Sequence, residues 1–435
     1  MKKYPKYKPS NIDWIGDIPE HWKISKVKYN FSFRTGFTPP SGKSEYYNDG
    51  NNVWINIGDL EGKYISDSSN KITDKAIEDL NPTIVPKGSL LYSFKLSVGK
   101  VAFTEIDCYT NEAIFSIDPD KEDNLEFFYF ALPQQIIKNA NENIYGAKIL
   151  NQELIKNADL IIPPPQEQTA IADYLNKKTN EIDRLINDKR ELLKLIGEEK
   201  IALINQVITK GINPNQNLID SNVEFIGYIP DNWSIKKIKH IVSKVGSGVT
   251  PSGGANVYEL TGIPLLRSQN IHFDGLRLED VACINEDIHN NMKNSKVFSG
   301  DVLLNITGAS IGRCFYVDGT LGEANVNQHV SILRPNDKVL TKYLYYILYS
   351  NIGQEQIRKE QTGSGREGLN FEVLKNFLIP IPKISEQESI IDYIELQCNQ
   401  IDFRIKKTKK LIDLLTEYRS ALISEVVTGK VNIIE

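Results

Sequence analysis

SNIDWIGDIPEHW (residues 10–22) and SNVEFIGYIPDNW (residues 221–233) are two versions of one segment. Seven of the thirteen positions are identical, Ser10/Ser221, Asn11/Asn222, Ile15/Ile226, Gly16/Gly227, Ile18/Ile229, Pro19/Pro230 and Trp22/Trp233, all at an offset of 211. An internal repeat decides an architecture before any single element does. The likeness returns at offset 219, where ADLIIPPPQEQTAIADYL (158–175) meets KNFLIPIPKISEQESIIDYI (375–394). Pro163/Pro382, Glu167/Glu386, Gln168/Gln387, Ile171/Ile390, Asp173/Asp392 and Tyr174/Tyr393 coincide. The match then runs ungapped through Asn180/Asn399, Asp183/Asp402 and Ile186/Ile405 to Ala202/Ala421, Ile204/Ile423, Val207/Val426 and Thr209/Thr428. Between these ends only echoes survive: TGFTPPSG against GSGVTPSGG, PKGSLLYS against FSGDVLLN, SVGKVAF against SIGRCFY. Matching frames around diverged middles imply two domains that do the same job on different targets.

Residues 166–209 are predicted to form one long helix, with a proline cluster before it, interspersed charges and no internal proline. Ile182, Leu185, Leu192, Ile196 and Leu203 follow the alternating spacing of a coiled-coil seam. Ile401, Ile405, Leu411, Leu415, Tyr418 and Leu422 repeat it in the second copy. At 1.5 Å per residue each helix extends roughly 65 Å. Lys178 and Lys189 interrupt the seam, which makes the other copy a better partner than a second molecule. The middles combine β-branched runs (VWINI, SLLYSF, KVAF; DVLLNI, CFYV, HVSIL) with Gly, Pro and Asn turns. Each middle closes with an amphipathic helix, around LEFFYFALPQQIIKNA and KYLYYILYSNIGQEQIRK. The expected fold is α+β: two similar globular domains separated by two long helices packed as an antiparallel coiled coil, with a pseudo-twofold repeat. Its divisions are 1–165, 166–211, 212–383 and 384–435.

Composition sets the outer limits. The chain has 435 residues, 40% apolar and 25% charged, as soluble globular proteins do. No apolar run approaches the ~20 residues that span a bilayer. The basic start, MKKYPKYKPS, has no apolar segment behind it and is not a signal peptide. Cys108, Cys283, Cys314 and Cys398 lie far apart, with no C-x-x-C pair, so a disulfide framework and a zinc finger are unexpected and the cytoplasm is the expected location. Net charge is -5, and no long segment is basic: residues 11–165 carry 15 basic against 22 acidic side chains, and 212–383 carry 17 of each. A DNA-binding role would require charge sorted by face, or supplied by a partner.

Catalytic motifs are absent. GFTPPSGKS (36–44) has Phe37 where a phosphate-binding loop needs glycine. TGSGREG (362–368) fits G-x-G-x-x-G, but it follows a helix and no βαβ unit surrounds it. Asn81-Pro82-Thr83 is the nearest approach to the tetrad that holds an adenine amine for methyl transfer. The five histidines, His21, His240, His272, His289 and His329, show no metal-ligand spacing, and no nucleophile elbow stands out.

With IPEHW and IPDNW at the domain starts, the Pro-x(2–4)-Glu-Gln entries to the helices, the TP(P)SG loops, LLRSQNI and SIGRC, the chain resembles the specificity subunit of type I restriction–modification enzymes over essentially its whole length. The resemblance implies two target-recognition domains, each reading half of a bipartite double-stranded DNA site, held apart by the coiled coil. It implies docking of two modification subunits, and of restriction subunits where these exist. It also implies that this chain catalyses nothing and binds no cofactor or metal. S-adenosylmethionine would act on the modification subunit, and ATP and Mg on a restriction subunit.

Base edges are read in the major groove by Arg, Lys, Asn and Gln, and phosphates are held by basic and hydroxyl side chains. The expected contacts in the second domain are Thr250, Ser252, Arg267, Gln269, Asn270, Ser310, Arg313, Gln328, Ser364 and Arg366. In the first they are Thr38, Ser41, Lys43, Asn56, Lys95, Lys100, Asn111 and Lys148. Copy one has WINIGDL where copy two has LLRSQNI, so reading roles do not transfer between the halves. Trp22 and Trp233 belong to the core. Two other readings compete: a stand-alone DNA-modifying enzyme with unrecognised motifs, and a helical-hairpin scaffold for proteins alone.

Overall fold

The turn that opens each half explains the repeat residue by residue. In the computed structural model, which describes residues 2–119, 124–142, 146, 148–363 and 368–434, Asn11 and Asn222 have φ of 59° and 56°. Gly16 and Gly227 have φ of 66° and 71°. All four lie in the left-handed region, which Gly and Asn enter at least cost. The Ser10 hydroxyl accepts the Ile12 N–H at 3.1 Å, and Ser221 accepts that of Val223 at 3.2 Å. Ile15, Ile18, Ile226 and Ile229 are buried beneath the turns. Trp22 donates its indole N–H to Glu167 at 2.9 Å, and Trp233 donates to Glu386 at the same distance. Both tryptophans are core residues. The repeated Trp and Glu, far apart in sequence, are one contact made twice.

The chain divides into two compact units, Met1–Arg190 with Lys410–Glu435, and Glu191–Lys409. Each unit holds one globular domain and parts of both long helices, so compactness cuts across the linear divisions 1–165, 166–211, 212–383 and 384–435.

In the first unit a five-stranded sheet runs in the order 33–35, 114–117, 90–93, 101–104, 64–65. Beside it, Tyr109–Thr110 pairs in parallel with Asn52–Ile55. In the second unit a four-stranded sheet runs 242–247, 330–335, 302–305, 314–316. There Ala324–Val326 pairs in parallel with Ile263–Leu266. The β-branched runs therefore form strands as expected. An antiparallel pair ties each domain to its helix entry, Lys23–Lys26 with Asp159–Ile162, and Ser234–Lys237 with Leu378–Ile381. The expected amphipathic helix is Leu125–Gln135 in the first domain. In the second it is broken at Ser350 into Thr341–Tyr349 and Asn351–Gly363. All four cysteines are buried thiols, and burial pushes that of Cys108 up to about 11.

The long helices are Pro165–Lys210 and Ile384–Val427. Proline at the first position suits the first helix, because its missing N–H would find no partner there. Just beyond their ends, Gly211 and Gly429 take φ of 68° and 72°, the usual left-handed closing residue. A side chain on Gly429 would strike Pro19 and Trp22, so this glycine is also needed for packing. Lys2 and Asn432 form a β-bridge, which brings the two chain ends together in the first unit.

The helices pack antiparallel. In the second unit Glu199 pairs with Arg404 at 3.0 Å and Lys200 with Asp402 at 2.7 Å, so one number rises as the other falls. In the first unit Asp183 pairs with Arg419 at 2.8 Å. The repeat places Asp183 on Asp402 and Lys200 on Arg419, which makes the two ion pairs counterparts.

The structure corrects the seam. Ile182, Ile196, Ile401 and Leu422 are buried, and Leu192, Leu203, Ile405 and Leu415 are half-buried. Leu185, Leu411 and Tyr418, expected inside, are 47%, 40% and 48% exposed. The inward row of the first helix is 175, 179, 182, 186, 189, 193, 196, 200, 203 and 207, steps of four and three alternately, and no residue on it is exposed. Adding 219 gives the row of the second helix. Ile182, Ile196, Leu203, Ile401, Ile405, Leu415 and Leu422 lie on these rows as expected; Thr179, Lys189, Lys200 and Arg419 occupy the polar inward positions, and that interruption drew Leu185, Leu192, Leu411 and Tyr418 into the expected seam.

Candidate nucleic-acid interface

In the second unit several loops converge beyond the ends of the sheet strands. Arg267, Gln269 and Asn270 share the turn that follows strand Ile263–Leu266. The buried Asn305 side chain donates to Ser268 O at 2.8 Å and to the Ser310 hydroxyl at 3.1 Å, tying this turn to the loop that carries Ser310 and Arg313. Gly248 N–H donates to Asn327 O at 3.2 Å, and Ile306 N–H to His329 O at 3.0 Å. These bonds bring the Thr-Pro loop and the 305–313 loop against Gln328. Thr250 and Ser252 are exposed on either side of buried Pro251. Gly248 is required here, since a side chain on it would collide with Val326 O. Most of the expected contacts of the second domain therefore share one neighbourhood. Ser364 and Arg366 lie outside the described residues.

Arg267 is half-buried, with its guanidinium 5.4 Å from the Tyr258 ring centre and no partner for its Nε. Asn270 is corrected from the expected readers. It is 3% exposed, its Oδ1 accepts the Arg267 N–H at 3.0 Å, and its Nδ2 donates to Arg277 O at 2.8 Å. Its buried amide holds the turn and does not face outward.

The first unit builds the same neighbourhood from different residues. Phe37 N–H donates to Thr110 O at 2.8 Å, and Phe94 N–H to Ala113 O at 2.9 Å. The Thr38 hydroxyl donates to Glu112. Asn56 and Asn111 meet at 3.3 Å, and Asn111 Oδ1 also accepts the Ala113 N–H at 3.1 Å. Asn111 is half-buried, and its side chain joins Asn56 to the local backbone. Ser41 and Lys95 are exposed on their loops. Lys43 donates to the Tyr46 hydroxyl at 3.1 Å, and this bond raises its pKa. Lys148 is paired with Glu142 across a short hairpin. Lys100 lies elsewhere: it lines a cavity of about 470 Å³ with Lys63, Asp183 and Arg419.

Two residues in these neighbourhoods escaped sequence reading. Leu96, at the tip of the 93–100 loop, is 94% exposed with φ of 57°, an outlying conformation for a branched apolar residue. Its counterpart after the matching strand is Gly308, φ 70°. Nothing in the sequence announces a left-handed backbone angle at a leucine. Glu112, a carboxylate, gives no signal of a DNA contact in the sequence.

Among the described residues no cluster could hold a metal ion, and no helix is long and apolar enough to cross a membrane. Residues 19–195 and 230–412 each match the family model of the type I restriction modification DNA specificity domain. The MjaIX specificity subunit of Methanocaldococcus jannaschii is 26% identical, covering 97% of this chain and 96% of that one. The EcoBI specificity subunit of Escherichia coli is 24% identical, covering 80% of this chain and 75% of that one. A chain from a structural study of complex assembly and conformational transition of the type I R-M system aligns over 95% of this chain and 99% of itself, with TM-score 0.71 and 14% identity. The HsdS subunit of Thermoanaerobacter tengcongensis aligns over 95% and 98%, with TM-score 0.53 and 16% identity.

Proposed function

The chain belongs to the type I restriction modification DNA specificity family, and on that premise we propose that it is the non-catalytic DNA-reading subunit of a restriction–modification complex, each globular domain reading half of a bipartite site. The observation that carries this reading is the repeated platform: the same loops meet in each unit, held by matching backbone bonds at Asn111 and Asn327 and at Phe94 and Ile306, and tipped with different polar side chains. Such an arrangement fixes where a reader sits and leaves open what it reads.

The long helices supply the docking surface for two modification subunits. Leu185, Leu411, Leu414 and Tyr418 in the first unit, and Leu195, Ile201, Leu396 and Phe403 in the second, are exposed large apolar side chains on these helices. Exposed apolar area of this kind marks interaction sites. S-adenosylmethionine acts on the modification subunit, and ATP and Mg on a restriction subunit where one is present. The complex works in the cytoplasm. With balanced charge over 212–383 and excess acid over 11–165, the chain neutralises few phosphates alone, so the partner contributes much of the affinity.

A gel shift with and without a co-purified methyltransferase tests this, together with calorimetry of the pure chain against S-adenosylmethionine. The expected result is weak DNA binding alone, strong binding with the partner, and no cofactor binding by the pure chain. Cofactor binding by the pure chain would favour a DNA-modifying enzyme. No DNA binding in either state would favour a protein scaffold.

A further inference from the structure

The two platforms can be superposed through their parallel strand pairs. Thr110 lies opposite Ile55 in the first unit, and Val326 opposite Leu266 in the second. The next residues, Asn111 and Asn327, are held alike. Each donates its N–H to the carbonyl at the end of the partner strand at 3.0 Å, and each accepts the N–H two residues on at 3.1 Å. The following residue is Glu112 in one unit and Gln328 in the other, and both are exposed. On one side of each stands the Thr-Pro loop, and on the other the loop after the central sheet strand, joined through Phe94 to Ala113 and through Ile306 to His329. An identical clamp thus presents one side chain that differs between the units.

The difference is chemical. A carboxylate only accepts hydrogen bonds, whereas an amide both donates and accepts. A carboxylate on a surface that approaches DNA is repelled by phosphates, and is favourable only where a base amino group meets it. In the major groove the cytosine N4 amine is the matching donor for Glu, while Gln pairs with adenine N6 and N7. The Thr38 hydroxyl already donates to one Glu112 oxygen, which fixes the carboxylate and leaves its other oxygen to accept.

We propose that Glu112 and Gln328 are matched specificity-determining residues, Glu112 reading a C·G pair in one half-site and Gln328 an A·T pair in the other. This rests on the DNA-reading function proposed above. The test is selection from a pool of duplex oligonucleotides with both half-sites randomised, using the full chain with its modification partner. Wild type, Glu112→Gln, Glu112→Ala and Gln328→Glu are compared at one salt concentration. Glu112→Gln should change the preference from C·G to A·T at one pair of one half-site, by roughly five- to hundredfold in relative affinity. Glu112→Ala should relax that same pair, and Gln328→Glu should make the opposite exchange in the other half-site. Unchanged melting temperatures keep the comparison valid, and Gln328→Glu tests the idea independently if a Glu112 variant fails to fold. Selection of the wild-type motif by the variants, or equal weakening on all sequences, would overturn the assignment. A wild-type complex that selects no motif would instead remove the DNA-reading function itself.

Discussion

The two units keep the buried contacts of their frames and exchange the outward side chains of their loops. Trp22 with Glu167 and Trp233 with Glu386 make the same hydrogen bond. Buried Gln168 and Gln387 both donate to the proline carbonyl five residues back, at 3.0 and 3.1 Å. By contrast, Asn56 occupies the position of Arg267, Glu112 that of Gln328, and Leu96 that of Gly308. Even the tie between globular domain and long helix is rewritten. Lys63 and Asn176 both meet Glu126 in the first unit, whereas Lys342 meets Glu395 in the second. Burial therefore constrains the frame position by position, while the outward face of the loops is constrained only in where it is placed.

The largest expected effect separates inside from outside on one helix. Ile182 is 5% exposed and Leu185 is 47% exposed. Ile182→Asp should destabilise the first unit by more than about 4 kcal/mol, from lost apolar burial and an unpartnered carboxyl. Leu185→Asp should shift melting by less than about 1 kcal/mol yet weaken complex formation. Thermal melting and pull-down with the modification subunit check both. Equal melting losses would mean the inward row is misassigned.

Next come the tryptophans. Trp22→Ala and Trp233→Ala should each cost about 3–5 kcal/mol, felt first in the unit that carries the change, and hydrogen exchange of each unit reads this directly. A large cost in only one unit would break the equivalence.

A smaller effect is expected at the 93–100 loop and its counterpart. Left-handed backbone costs a non-glycine residue roughly 1–2 kcal/mol. Gly308→Leu should destabilise by that much, and Leu96→Gly should raise the melting temperature slightly. If Leu96→Gly lowers it, the exposed leucine has a packing role the structure does not show. The smallest effect concerns the counterpart ion pairs. Asp183→Asn and Asp402→Asn should each cost less than about 1 kcal/mol, because both pairs are half exposed, and salt titration of the melting point should diminish even that.

How much of this was legible in the sequence follows the same division. The turn residues Ser10, Asn11, Gly16 and Trp22 were visible because each has a geometric job that few residue types perform. The long helices were visible from length and the absence of proline. The inward row was legible only in part, because Thr179, Lys189 and Lys200 break its apolar period while Leu185 and Leu411 offer a false one. The candidate reading residues were least legible. Asn270 and Gln269 are neighbours of similar chemistry, yet one is consumed by the turn and the other is exposed, and only the fold distinguishes them. Gln135 and Gln356 gave no signal at all, although each accepts the N–H of a strand, Ile161 or Leu378, that ties domain to helix.

The central claim is that the two middles read independently, and exchange of one middle tests it most directly. Residues 23–150 are replaced by the matching segment of a relative with a different target, complex assembly is confirmed, and methylated positions are mapped across genomic DNA. The account predicts that one half of the methylated motif changes while the other half, and the distance between them, stay as they were. Altered bases in both halves would contradict it.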